Sequence, residues 1–146
     1  MRTPYDTVIV SGGFDPVHVG HVRMICEAAE YGEVIVVLNS DDWLRAKKGY
    51  VFMSWEERSE ILMSFKGVSR VEVVDDEDGT VCKAIKRINP TYFANGGDRV
   101  ANNTPEMQIC NSMGVEMLWN IGGGKIQSST KLVDDQKWNQ NGMWNV

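Results

Sequence analysis

Gly12-Gly13-Phe14-Asp15-Pro16-Val17-His18-Val19-Gly20-His21 is the stretch on which the reading of this chain turns. It follows Thr7-Val8-Ile9-Val10-Ser11, a β-branched, apolar run with the character of a buried strand. It leads into residues 19–31, where Val22, Ile25, Cys26, Ala28 and Ala29 recur at helical spacing and Gly32 closes the run. A strand that passes through glycines into a helix presents backbone N–H groups and the positive end of a helix dipole to a phosphate. Gly12 and Gly13 allow close backbone approach and positive φ. Pro16 stiffens the turn, and Gly20 leaves room for a ligand. His18 and His21, the chain's only histidines, lie about one helical turn apart, so both can point at one cluster of oxygens. Two imidazole donors there suit the charge that develops in phosphoryl or nucleotidyl transfer. The plainer alternative is a pair of histidines packed at a helix start and satisfied by backbone. Asp15 is equally readable as a site residue or as a cap or turn residue.

The rest of the chain repeats the strand-then-helix rhythm. Val34-Ile35-Val36-Val37-Leu38 is a continuous apolar run, as in a strand covered on both faces. Asn39-Ser40-Asp41-Asp42 caps a short helix carrying Trp43 and Leu44 and ending near Gly49. Ser54 and Glu57 form a capping box before a helix with Trp55, Ile61, Leu62 and Phe65 inward. Strands follow at 71–74, 91–94 and 115–119. Helices lie between them, one running to Ile88 and one starting at Thr104-Pro105, and a last helix opens at Ser128. The alternation predicts an α/β fold, a Rossmann-like parallel five-stranded sheet with helices on both faces. Ligands in such folds bind beyond the carboxyl ends of the strands. Residues 12–21, 95–99 and 122–130 all follow strand ends, so they are expected to converge on one side.

Composition narrows the function. The 146 residues are enough for one domain that buries roughly two-thirds of its unfolded surface without staples. A net charge of −5 argues against a large nucleic-acid or anionic-membrane surface but allows a small anionic ligand at a local site. Cys26, Cys82 and Cys110 are odd in number and lack zinc or CxxC spacing, which predicts buried, reduced thiols, no metal site and a cytoplasmic setting. No run is long and apolar enough to span a membrane, and no signal-peptide pattern is present.

The H-x-G-H run resembles the signature of the cytidylyltransferase-like nucleotidyltransferases. Further matches follow in that family's order: Leu38-Asn39-Ser40-Asp41, Lys47-Lys48-Gly49, Glu57-Arg58, Asn95-Gly96-Gly97-Asp98 and Ser128-Ser129-Thr130. Within the family the chain is most similar to the nucleotidyltransferase domain of ADP-heptose biosynthesis enzymes, and next to glycerol-3-phosphate cytidylyltransferases. The resemblance implies a nucleotidyltransferase domain over 1–133, followed by a tail over 134–146. It implies that His18 and His21 contact the triphosphate and that Lys47 or Lys48 reaches a phosphate; a solvated loop is the alternative for the lysines. Gly12, Gly13, Phe14, Asp15, Gly20, Asn95, Gly96 and Asp98 would line the nucleotide, although the stretch from Gly96 to Asp98 also reads as a tight turn. Ser128, Ser129 and Thr130 would hold the β- and γ-phosphates, or else simply cap their helix. Arg58 is either a phosphate ligand or an ion-pair partner of Glu57 or Asp41. Arg99 and Lys125 are further phosphate or acceptor candidates, and both mark departures from the pattern. Arg99 stands where heptose-type enzymes have an aromatic, and the stretch with Lys125 lacks the arginine of the cytidylyltransferases, so ATP and CTP both stay open. The expected cofactor is Mg²⁺ with the nucleoside triphosphate. The expected partners are that nucleotide, a small phosphorylated acceptor such as a sugar phosphate, and a second copy of the chain in a homodimer. The sequence carries no linked kinase domain, so the acceptor is expected from a separate protein. A nucleotide-binding protein without catalysis and a dinucleotide-binding Rossmann protein are the rival readings; the second lacks G-x-G-x-x-G.

Overall fold

The computed structural model describes residues 5–96 and 104–123, together with positions 129, 132 and 133, which are helical. The order of elements is β1 (Thr7–Gly12), α1 (Val19–Ala28), β2 (Glu33–Leu38), α2 (Asp41–Lys48), α3 (Trp55–Met63), β3 (Val68–Val73), α4 (Cys82–Ile88), β4 (Tyr92–Gly96), α5 (Thr104–Met113) and β5 (Glu116–Ile121). The five strands form one parallel sheet in the order β3-β2-β1-β4-β5. The expected fold class is therefore the one observed. Strand order reverses between β1 and β4, which opens a crevice at their carboxyl ends.

Period-two alternation divides the core. Val8, Val10, Val34, Val36 and Leu38 point to one face, where they pack with Ile25 and Ala28 of α1 and Leu62 of α3. Ile9, Val37 and Phe93 point to the other and pack with Ala84 and Ile85 of α4 and Cys110 of α5. Strands buried on both faces read as the unbroken apolar runs seen in the sequence.

Local chemistry sets the boundaries. Ser40 Oγ accepts from Trp43 N at 3.0 Å to cap α2, which ends at Gly49 with φ 87. Ser54 Oγ accepts from Glu57 N at 3.2 Å and caps α3. Strands β4 and β5 each start one residue later and end two residues later than expected, and two other boundaries differ for a visible reason. Helix α1 stops at Ala28 rather than Tyr31, and Gly32 is needed elsewhere: a Cβ there would stand 2.5 Å from the carbonyl oxygen of Asp6. Strand β3 begins three residues before the expected Val71, because an edge strand carries exposed polar residues such as Ser69 and Arg70. The cysteines also divide: Cys110 is buried, and burial pushes its thiol up to about 11, while Cys26 is exposed.

Candidate active site

The site grows from the carboxyl end of β1. Gly13 lies against α2, and a Cβ there would meet Leu44 Cδ2 at 2.8 Å. Phe14 takes φ 51, buries its ring and sets it 4.6 Å from the ring of His21. The Asp15–Pro16 peptide is cis. His18 is the N-cap of α1, with extended backbone.

The two histidines cap the helix for each other. Gly20 N donates to His18 Nδ1 at 3.1 Å, and His18 N donates to His21 Nδ1 at 3.1 Å. This is a capping box built from imidazoles rather than from a hydroxyl and a carboxylate. A backbone N–H can only donate, so each Nδ1 holds a lone pair and each Nε2 holds the proton. The rings stack with centroids 3.8 Å apart. Burial first, and the neighbouring His18 second, push His21 down to about 3. His21 is thus neutral at pH 7 and donates through Nε2–H. Gly20 serves this arrangement: a Cβ would stand 2.9 Å from His18 Cε1. The expected space for a ligand at Gly20 is filled by the imidazole itself.

Asp15 and Arg58 act as braces. Asp15 is buried, and its two carboxylate oxygens accept from Phe52 N at 2.7 Å and Met53 N at 2.6 Å. Its carboxylate therefore holds the 52–53 segment to the glycine loop, a bracing role of the kind its turn reading describes. Arg58 has no exposed surface. It donates to the carbonyls of Met53, Gly13 and Asn39 at 3.0, 2.7 and 2.9 Å, and to Asp41 at 2.6 Å. The predicted ion pair is made with Asp41 and not with Glu57, and a guanidinium so enclosed is not offered to a phosphate. Lys48 Nζ donates to the Asp15 carbonyl at 2.7 Å and lies 3.8 Å from its carboxylate.

Lys47 goes the other way. Its ammonium lies 4.7 Å from the centre of the Trp43 ring and lines a separate cleft with the acidic turn 75–79. Adjacent residues on a helix point about 100° apart, so only one of the two lysines can face the glycine loop, and that one is Lys48. Of the two lysines expected to reach a phosphate, the structure brings Lys48 to the glycine loop and Lys47 to the Trp43 ring.

From the far half of the sheet, Asn95 is buried at the end of β4 and donates its amide to Leu118 O of β5 at 3.1 Å. That amide ties the ends of β4 and β5 together. Gly96 ends β4 in register with Ile121. Ser129 Oγ donates to Pro16 O at 2.7 Å, which brings the last Ser/Thr motif onto the loop that carries the histidines. Asp98, Arg99, Lys125, Ser128, Thr130 and the 134–146 tail lie outside the described residues.

Asp76 is a structural anchor that the sequence reading missed. It is buried and accepts from Asn39 Nδ2, Ser40 N and Ser40 Oγ at 2.9, 2.9 and 2.7 Å. Trp55 Nε1 adds a bond to Leu38 O at 3.1 Å. The end of β2 is thereby held from two sides. No pattern singles out one buried carboxylate within the run Asp75-Asp76-Glu77-Asp78.

Among the described residues no group of three or more His, Cys, Asp or Glu side chains is arranged to hold a metal ion. No helix among the described residues is long and apolar enough to cross a membrane.

A doubly wound parallel sheet with stacked imidazoles at the first helix N-terminus defines a Rossmann-like α/β protein. The chain matches the cytidylyltransferase-like family model over residues 9–119 and belongs to that family, whose fold and class of chemistry are those of the nucleotidyltransferases. It is 33% identical over 132 residues to the bifunctional protein HldE of Geobacter metallireducens, which covers 87% of this chain but 26% of that protein. It is 28% identical to the FAD synthase of Methanobrevibacter smithii, with 86% of this chain and 87% of that one covered. The crystal structure of the lipopolysaccharide core biosynthesis protein of Thermoplasma volcanium superposes with a TM-score of 0.66 at 22% identity, over 78% of this chain and 93% of that one, and shows the same fold. The chain thus spans about a quarter of the HldE relatives it matches.

Proposed function

We propose that this chain transfers a nucleoside monophosphate from a nucleoside triphosphate, ATP or CTP, to a small phosphorylated acceptor. An acceptor phosphate oxygen attacks the α-phosphorus in line. The bond from that phosphorus to the β-phosphate's bridging oxygen breaks, and pyrophosphate leaves. No covalent intermediate with the enzyme is formed. The observation that carries this reading is the pair of stacked imidazoles at the start of α1, each accepting a backbone N–H at Nδ1 and so carrying its proton at Nε2. They donate to phosphate oxygens as negative charge builds, and their fixed tautomers make that donation preorganised. Lys48 adds a cation beside the same loop, and Ser129 on Pro16 supports a role for the last Ser/Thr motif at the β- and γ-phosphates. Gly12, Gly13, Gly96 and Asp98 would approach the nucleotide, and Arg99 and Lys125 its phosphates or the acceptor. The similarity to an FAD synthase, an enzyme whose product contains an adenylyl group, favours ATP. A homodimer is part of the proposal, with Mg²⁺ entering as the nucleotide complex.

The test is pyrophosphate release with MgATP and MgCTP over a panel of sugar, polyol and flavin phosphates. His18→Ala or His21→Ala should each cost about a hundredfold or more in turnover. Nucleotide-dependent thermal stabilisation without pyrophosphate from any acceptor would instead identify a non-catalytic nucleotide-binding protein.

A further inference from the structure

The cleft on the outer side of α2 has no role in the site described above. Its volume is about 630 Å³. Its walls are apolar, formed by Trp43, Ala46 and Val74, and its rim is acidic, with Asp42, Asp75, Asp76 and Glu77 facing the single ammonium of Lys47. It lies next to the glycine loop, because the Trp43 ring spans the two: its Cζ3 atom would be 3.5 Å from a Cβ on Gly13.

Resting on the transferase reading, we propose that this cleft receives the organic body of the phosphorylated acceptor and selects a body that is hydroxyl-bearing and free of a second anionic group. The carboxylates differ in what they have to spare. Asp76 is filled by Asn39 and Ser40. Asp42 pairs with Arg45 at 3.1 Å and Asp75 with Lys83 at 2.9 Å, but both pairs are exposed and weak. The Glu77 carboxylate makes no hydrogen bond among the described residues. Hydroxyl groups find acceptors here with lone pairs to offer. A carboxylate or second phosphate meets four carboxylates, of which Asp42 and Asp75 are partly offset by Arg45 and Lys83. The repulsion therefore outweighs the single lysine of the lining by the unpaired Glu77 and the buried Asp76. A cationic body is disfavoured as well, since the Trp43 face that would attract it is already covered by Lys47 at 4.7 Å. At a separation of several ångströms in screened water, the repulsion of one extra phosphate amounts to about tenfold in affinity.

The experiment uses the indole N–H signal of Trp43 in ¹⁵N NMR spectra of the full chain, assigned by its loss in Trp43→Phe. Trp55, tied to Leu38 O, serves as the internal reference. Three matched pairs are titrated with a non-hydrolysable nucleotide analogue present: glucose 1-phosphate and glucose 1,6-bisphosphate, glycerol 3-phosphate and 3-phosphoglycerate, ribose 5-phosphate and ribose 1,5-bisphosphate. The expected result is that at least one hydroxylated monophosphate shifts Trp43 and binds about tenfold more tightly than its doubly anionic partner. Asp42→Asn with Glu77→Gln, both at exposed positions, should narrow that gap to about threefold or less. A silent Trp43 throughout, equal binding within every pair, or a gap unchanged by neutralisation overturns the proposal. Pyrophosphate release with a silent Trp43 would remove the cleft and leave the transferase standing. A responsive Trp43 without pyrophosphate from any nucleotide would do the reverse.

Discussion

Gly20→Ala separates what the His18 imidazole does for the fold from what it does for chemistry. A Cβ at position 20 stands 2.9 Å from His18 Cε1 and 3.1 Å from Nδ1, and ordinary contact begins at 3.4 Å. The ring must therefore move by about 0.5 Å or rotate away, and either breaks the bond from Gly20 N that fixes its tautomer. Gly20 has no positive φ to protect, so the backbone tolerates alanine. Losing the cap costs about 1 kcal/mol. Alanine in place of glycine within a helix returns about 0.5–1 kcal/mol. The two nearly cancel, and the melting temperature should move by only a few degrees. Turnover is more sensitive, because misplacing a reacting group by about 1 Å costs about a hundredfold. The expected loss is about tenfold to a hundredfold. It would be followed by pyrophosphate release, thermal melting in parallel, and long-range ¹⁵N imidazole spectra that read each tautomer. Wild-type turnover with both imidazoles still protonated at Nε2 would refute the argument, as would a fall in melting temperature of more than about 10 °C.

Two further outcomes follow from the same geometry. Arg58→Met orphans the carbonyls of Gly13, Asn39 and Met53 and leaves Asp41 unpaired, so urea unfolding should show a loss of about 3–5 kcal/mol, with Arg58→Lys in between; a loss below about 1 kcal/mol would mean that the brace carries little. The folded state adds the second, charging proton to His21 only near pH 3, whereas the unfolded chain adds it near 6.5. The unfolded state thus binds more protons between those values. The contribution of His21 is complete above pH 6.5 and declines as pH falls towards 3, by about 1.4 kcal/mol per unit at most. His21→Gln should lack that slope in urea titrations at pH 7 and 5, and parallel profiles would count against a buried neutral imidazole.

The sheet and the histidine pair were legible because their signals are local. Val8-Ile9-Val10 and the run 34–38 carry their burial in their own side chains, and spacing alone brings His18 and His21 together. The direction of Lys47 was not legible. Two neighbouring lysines in one motif look equivalent until the rotation of α2 about Leu44 and Gly13 is known. The bracing bonds of Asp15 and Asn95 were not legible either, because polar side chains beside glycines at strand ends brace loops as readily as they bind substrates. Asp76 was hidden for the opposite reason, since its partners, Asn39 and Ser40, lie 37 and 36 residues earlier in the chain. Long-range polar contacts leave no periodicity to read.

The central position of β1 has a consequence for synthesis on the ribosome. One edge of β1 meets β2 within a short stretch of chain, but its other edge waits for Tyr92, Phe93 and Ala94 of β4. Until those residues emerge, a nascent chain holding β1, β2 and β3 presents an apolar strand with an unpaired row of backbone groups. A fragment ending near Gly79 should therefore aggregate through that open strand edge, a route that pairing with β4 closes in the completed chain. The bond from Ser129 to Pro16 forms later still, so the loop that carries the histidines gains its last tie only after the sheet has closed.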